Sequence, residues 1–123
     1  MIKNRNTQEV RIQKNPFGGK GEIYRWFYFS KEDASLVKTV NEASMTPGSY
    51  SALHGWENAY EIMYFLEGEG TYQKDDEGPV PIKAGDVVLH KPGERWSIHN
   101  TSEKPLRYLV VLVTSDEEVR PLK

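Results

Sequence analysis

Side chains able to ligate a metal or move a proton are few enough in this chain to weigh individually. His54, His90 and His99 are its only imidazoles, and it has no cysteine. Zinc ribbons, iron–sulfur clusters, disulfide scaffolds and thiol nucleophiles are therefore excluded together. Glu61 follows His54 by seven residues, and a histidine with a carboxylate serves both acid–base catalysis and metal ligation. Glu61 also breaks an apolar pattern. In Tyr60 to Leu66 it shares a face with Met63 and Phe65, and burying a lone carboxylate is costly. It therefore needs a metal, a cation, a hydrogen-bond donor or its own proton.

The neighbours of this pair follow from alternation. If Ser49 to His54 is a strand, Tyr50 and Ala52 share the face of His54, and Trp56 continues it through Gly55. A short connection to the next strand would then bring His54, Trp56 and Glu61 together. His99 lies three positions past Trp96, so in a regular strand it points to the opposite face. His90 ends an Asp86 to His90 strand, and alternation leaves its facing open.

The elements that must position these residues are short strands. Turn signals recur at Gly18 to Gly21, Pro47-Gly48, Glu67 to Gly70, Asp75 to Pro79, Ala84 to Asp86, Pro92-Gly93 and Asn100 to Pro105. Between them lie runs rich in β-branched and aromatic residues: Ile23 to Phe29, Tyr60 to Leu66, Val87 to Leu89 and Tyr108 to Thr114. This rhythm predicts an all-β sandwich or barrel. Only Ser30 to Asp33 reads as a helix start, with Ser30 as cap and Asp33 reaching back. Tyr60 to Leu66 is apolar on both faces, which predicts cover on both sides, by a barrel interior on one and by another strand or a second subunit on the other. The aromatic run Tyr24, Trp26, Phe27, Tyr28 and Phe29 reads first as core packing, with a dimer contact as the compatible alternative.

Composition limits the partners. The 123 residues carry sixteen Lys and Arg against eighteen Asp and Glu, for a net charge of −2. These charges are interspersed, so nucleic acid is not the expected partner. No signal-peptide core appears in the first thirty residues. The run Leu109 to Val113 is far short of the roughly 18 apolar residues that span a bilayer. A soluble cytoplasmic domain without membrane contact is the expectation. Gly18 to Gly21 lacks the spacing of a phosphate loop, and Asp75 to Gly78 is too irregular for an EF-hand.

The stretch from Gly48 through His54, Trp56 and Glu61 to Gly68 resembles the first motif of the cupin family. That motif runs G, five residues, H-x-H, three or four residues, E, six residues, G. Gly85, Gly93 and Asn100 are similar to the second motif, with Lys91 where its first proline would stand. The resemblance covers residues 18 to 114, including the closing strand within Thr101 to Val113. It implies an all-β double-stranded β-helix, or jelly-roll, with at most a short helix near the N-terminus. Residues 1–17 would be a lead-in, with exchange as a strand in a homodimer the alternative, 18–115 the barrel and 116–123 a tail.

The resemblance also implies a divalent metal (Mn, Fe, Ni or Zn) held at His54, Trp56, Glu61 and Trp96. Two of those four positions are Trp, whose indole N–H is a donor only. The expected site is thus an aromatic-walled pocket lined by Tyr50, His54, Trp56, Glu61, Met63, Trp96 and Ile98, without a metal. Its occupant is a small molecule. The alternative is an isomerase, lyase or dioxygenase using His54 and Glu61, as an acid–base pair or with His90 as a substitute metal ligand. A barrel filled by Trp56 and Trp96 is a third possibility.

Overall fold

The computed structural model describes all 123 residues. Ten strands account for the architecture: β1 (Val10–Lys14), β2 (Glu22–Ser30), β3 (Val37–Met45), β4 (His54–Gly55), β5 (Tyr60–Glu67), β6 (Glu69–Lys74), β7 (Val80–Lys83), β8 (Val87–His90), β9 (Arg95–His99) and β10 (Leu106–Val113). They form a six-stranded sheet in the order β1-β2-β3-β10-β5-β8 and a four-stranded sheet in the order β4-β9-β6-β7. The two sheets share a hydrophobic core that includes Ile23, Met45, Phe65, Ile82, Ile98 and Leu106. This is the expected all-β jelly-roll.

Alternation explains which side chains enter the barrel. In β10, Leu106, Tyr108, Val110 and Leu112 are buried while Arg107, Leu109, Val111 and Val113 are less so. In β5, Glu61, Met63 and Phe65 point inward as alternation requires. The turn between β5 and β6 depends on Gly68, at φ 92°, where a Cβ would come within 2.5 Å of the Pro105 carbonyl oxygen. One end of the barrel is closed by Asn100, which is fully buried. Its amide donates to the carbonyls of Met45 and Lys104, and its Oδ1 accepts from the Ser102 backbone and hydroxyl.

Several expectations change. The capping bonds at Ser30 form, from Ser30 N to Asp33 Oδ2 at 3.1 Å and from Glu32 N to Ser30 Oγ at 3.3 Å. They close a turn rather than a helix, because β3 begins at Val37 and leaves no length to propagate one. The helical elements are single 3-10 turns at Arg5–Thr7 and Pro16–Gly18. The aromatic run in β2 is not core: of residues 23 to 29 only Ile23 is fully buried. Within the chain the outer face of β5 is left uncovered, with Tyr60, Ile62, Tyr64 and Leu66 at 40–48% exposure. Residues 10–14 pair as β1 with β2 of the same chain. The C-terminal residues run back beside β4, with Leu122 N bonded to the Gly55 carbonyl and Glu57 N to that of Arg120.

Candidate functional site

Along β2, β3, β10 and β5, the inward face changes character from one end of the barrel to the other. Ile23, Met45, Leu106, Tyr108 and Phe65 are packed solid at the closed end. At the other end the same strands present Arg25, Phe27, Thr39, Asn41, Val110, Leu112 and Glu61 to a cavity of about 390 Å³. Its remaining lining is Arg11, Ile12 and Gln13 of β1, with Phe17 and Trp56 from the loops. Two of the expected pocket residues, Trp56 and Glu61, are therefore on its wall.

Next to the cavity, the barrel is filled by a column of rings. Phe17 stacks on His54 at 3.6 Å, and His54 meets Trp96 at 4.3 Å with the planes tilted. Trp96 lies parallel to His90 at 4.4 Å, and His90 to Tyr72 at 5.6 Å. Phe17 takes left-handed backbone angles, φ 54° and ψ 31°, a conformation that costs energy for a bulky residue and is retained where packing demands it. Trp96 thus fills space, whereas Trp56 walls the opening.

Glu61 sits where column and cavity meet. Its Oε2 accepts from Trp56 Nε1 at 3.4 Å, and its Oε1 faces His90 Nδ1 at 3.4 Å. The His90 Nε2 is 2.7 Å from the Tyr72 hydroxyl. Burial first, then the negative charge of Glu94 and Asp75, pushes the Tyr72 phenol up to about 12. The phenol keeps its proton, and neither His90 Nδ1 nor the Glu61 Oε1 that faces it makes a hydrogen bond. His54 is held separately by a 2.8 Å contact from Nδ1 to the Ala52 carbonyl. Burial lowers its pKa below the ordinary 6.5, favouring neutral imidazole.

Arg25 completes the wall. Its Nε donates to Gln13 Oε1 and its Nη1 to Asn41 Oδ1, each at 2.9 Å. Both acceptors are neutral, so the guanidinium keeps its charge uncompensated. Arg11 lies over the Phe27 ring at 4.7 Å. Arg5, Arg107 and Arg120 all pair with carboxylates, whereas neither cavity arginine has one within 4.0 Å.

The expected assembly is corrected in four respects. His54 and Glu61 share no hydrogen bond: β4 pairs with β9 in the smaller sheet, while β5 lies in the larger one. The short connection crosses between sheets instead of making a hairpin, and the nearest imidazole to Glu61 is His90. Tyr50 is 40% exposed and faces His99 on the outside. Its segment is not a regular strand; Ser49 and Ser51 are the buried residues there, so the alternation breaks before His54. Met63 and Ile98 are buried in the core and do not line the cavity. Finally, His54, Glu61 and His90 do not converge as metal ligands.

Arg11, Arg25, Asn41 and Phe17 were missed by sequence reasoning. A signal existed for Arg25, a charged residue between Ile23 and Phe27 on one face of a strand. It is the same signal that singles out Glu61.

Fold and site together define a cupin. Residues 41–112 match the cupin domain family, and the chain belongs to it. The chain is 40% identical over 100 residues to an oxalate-binding protein of Thermotoga maritima, across 80% of this chain and 82% of that one. It superposes on the crystal structure of a predicted oxalate decarboxylase from Thermotoga maritima with TM-score 0.87 and 35% identity, over 93% of this chain and 99% of that one. A Klebsiella pneumoniae protein with a double-stranded β-helix domain shares the fold at TM-score 0.75 and 18% identity, over 99% and 96% of the two chains. No helix is long and apolar enough to cross a membrane.

The metal implied by the resemblance can be tested against these side chains. Trp56 and Trp96 offer no lone pair. Trp56 Nε1 is directed at Glu61, and Trp96 lies flat against His90. No group of three or more His, Cys, Asp or Glu could hold a metal ion. The donor set does not fit the metal.

Proposed function

We propose that this chain is a small-molecule-binding cupin whose ligand carries a carboxylate, bound without a metal in the cavity beside Trp56. The observation that carries the reading is Arg25, partly buried on the cavity wall, oriented by two neutral acceptors and lacking a counter-carboxylate. A charged group in such a place is costly unless something pairs with it. A planar guanidinium with fixed orientation is suited to bind a carboxylate in bidentate fashion. Phe17, Phe27 and Trp56 supply apolar walls, as small-molecule sites require. The oxalate-binding relative adds support from a different direction. In this reading Trp56 and Trp96 stand where ligand histidines would be, and the protein works in the cytoplasm.

Calorimetric titration with a panel of small carboxylates tests the reading. Saturable binding is expected for at least one acid, lost in Arg25→Gln and absent for the matching uncharged amide. Equal binding of acid and amide would overturn it. Metal analysis of protein purified without chelators is expected to find no stoichiometric transition metal. One metal per chain, lost on His54→Ala, would sink the metal-free reading. An acid–base enzyme built on this barrel would use Glu61 with His90, which face each other, rather than Glu61 with His54.

A homodimer is part of the same reading. Ile62 pairs with Leu89 and Tyr64 with Val87 across β5 and β8, making a contiguous outer face in which all four are 41–61% exposed. Such an apolar surface on a small protein marks an interaction site, and a second copy of the chain is its proposed cover. Sedimentation should give a dimer for the wild type and a monomer for Ile62→Lys. A monomeric wild type would reject the assignment.

A further inference from the structure

The cavity is electrostatically lopsided, and this bears on which carboxylate it takes. The inference rests on the carboxylate-binding reading above. We propose that the cavity selects a monocarboxylate bearing a hydroxyl at its far end, separated from the acid by a flat or apolar spacer, over a dicarboxylate of the same length.

Arg11 and Arg25 lie on the β1–β2 side, and Glu61 lies on β5. In the sheet order β3 and β10 come between them, so a ligand spanning the cavity meets guanidinium at one end and carboxylate at the other. The walls between are Thr39 and Asn41 of β3 and Val110 and Leu112 of β10, with Phe27 beside the arginines and Trp56 beside Glu61. A ligand carboxylate fits only the arginine end. At the opposite end the Glu61 carboxyl oxygens serve as acceptors. Its Oε2 takes one long bond from Trp56 and has room to accept a second, while its Oε1 is buried and turned toward His90. No Lys or Arg is within 4.0 Å of it, the one basic partner being the imidazole of His90 at 3.4 Å. A ligand hydroxyl supplies a second donor to Oε2. A second ligand carboxylate would place like charges close together where water screens them poorly. Replacing Glu61 by glutamine keeps the shape, removes the charge and adds a donor.

Two near-isosteric pairs read this directly by calorimetry on the intact protein: 4-(hydroxymethyl)benzoate with terephthalate, and 4-hydroxybutyrate with succinate, with oxalate alongside. The wild type is expected to bind a hydroxy acid more tightly than its dicarboxylate partner by about tenfold or more. Glu61→Gln should shrink or invert that ratio, while Arg25→Gln should abolish binding of both members. Dicarboxylates or oxalate binding the wild type as tightly as the hydroxy acids would overturn the selectivity and leave carboxylate binding standing. So would a ratio that Glu61→Gln leaves unchanged. Failure of every carboxylate, oxalate included, would remove the underlying reading and this inference with it.

Discussion

The two ends of the barrel are built from the same strands and do opposite things. At the closed end, β2, β3, β5 and β10 contribute Ile23, Met45, Phe65, Leu106 and Tyr108, all buried to about 1% exposure or less. Two to six positions along, the same inward faces carry Arg25, Asn41, Glu61 and Leu112 around a cavity. β10 pairs with β3 and β5 along its whole length, with register shifts only near its ends, at Arg107/Tyr108 and Leu112/Val113. The closed end therefore supplies stability, and the open end can hold polar groups that a packed core would exclude. A charged pocket is tolerable here because the other half of each strand anchors it.

That division can be broken most forcefully at the closed end. Phe65→Ala should cost about 3–5 kcal/mol, since a fully buried ring leaves a cavity. Denaturant unfolding would measure it, and carboxylate affinity in the folded fraction should not change. Asn100→Ala comes next. It strips hydrogen bonds from the buried Met45 carbonyl and the Lys104 carbonyl, at about 1–3 kcal/mol. Arg25→Gln sharpens the contrast from the other side: stability should move by less than about 1 kcal/mol while ligand binding disappears. A large loss of stability in that variant would make Arg25 a structural residue instead.

The smallest expected effect is a pH dependence at the ring column. Burial lowers the His54 pKa below 6.5, so the folded state binds fewer protons there than the unfolded chain. Stability from this group is present above the unfolded pKa and is lost as pH falls through the folded one. The unfolding midpoint should therefore drop on acidification below about pH 6.5, and drop less steeply in His54→Gln. Parallel slopes in the two proteins would mean that other groups carry the acid sensitivity.

Local alternation was legible in the residue order. It put Glu61 with Met63 and Phe65, turned His99 outward from Trp96, and made Tyr60, Ile62, Tyr64 and Leu66 one continuous face. These judgements need only a period of two within one strand. The same logic failed at Tyr50, because residues 49–53 are not a regular strand and their alternation lapses before His54. It also failed for the His54–Glu61 pair, where sequence proximity suggested a hairpin and the chain instead passes from one sheet to the other.

By itself, then, the sequence determined an all-β barrel of the cupin kind, the scarcity of metal-ligating side chains, and an inward carboxylate that required an explanation. Only the tertiary structure decided what that carboxylate faces. His90 comes from a strand 29 positions later, paired beside β5 through the register of Glu61 with His90. Arg11 and Arg25 reach the cavity through the β1–β2 pairing that sets them opposite each other. The physical reason is one of range. Side-chain direction follows from neighbouring φ and ψ, whereas sheet membership and the meeting of distant charges depend on long-range pairing that no local pattern encodes. The three histidines that first look like a depleted metal site are thereby sorted into three roles. His54 is stacked in the ring column, His90 faces Glu61, and His99 lies on the outer surface.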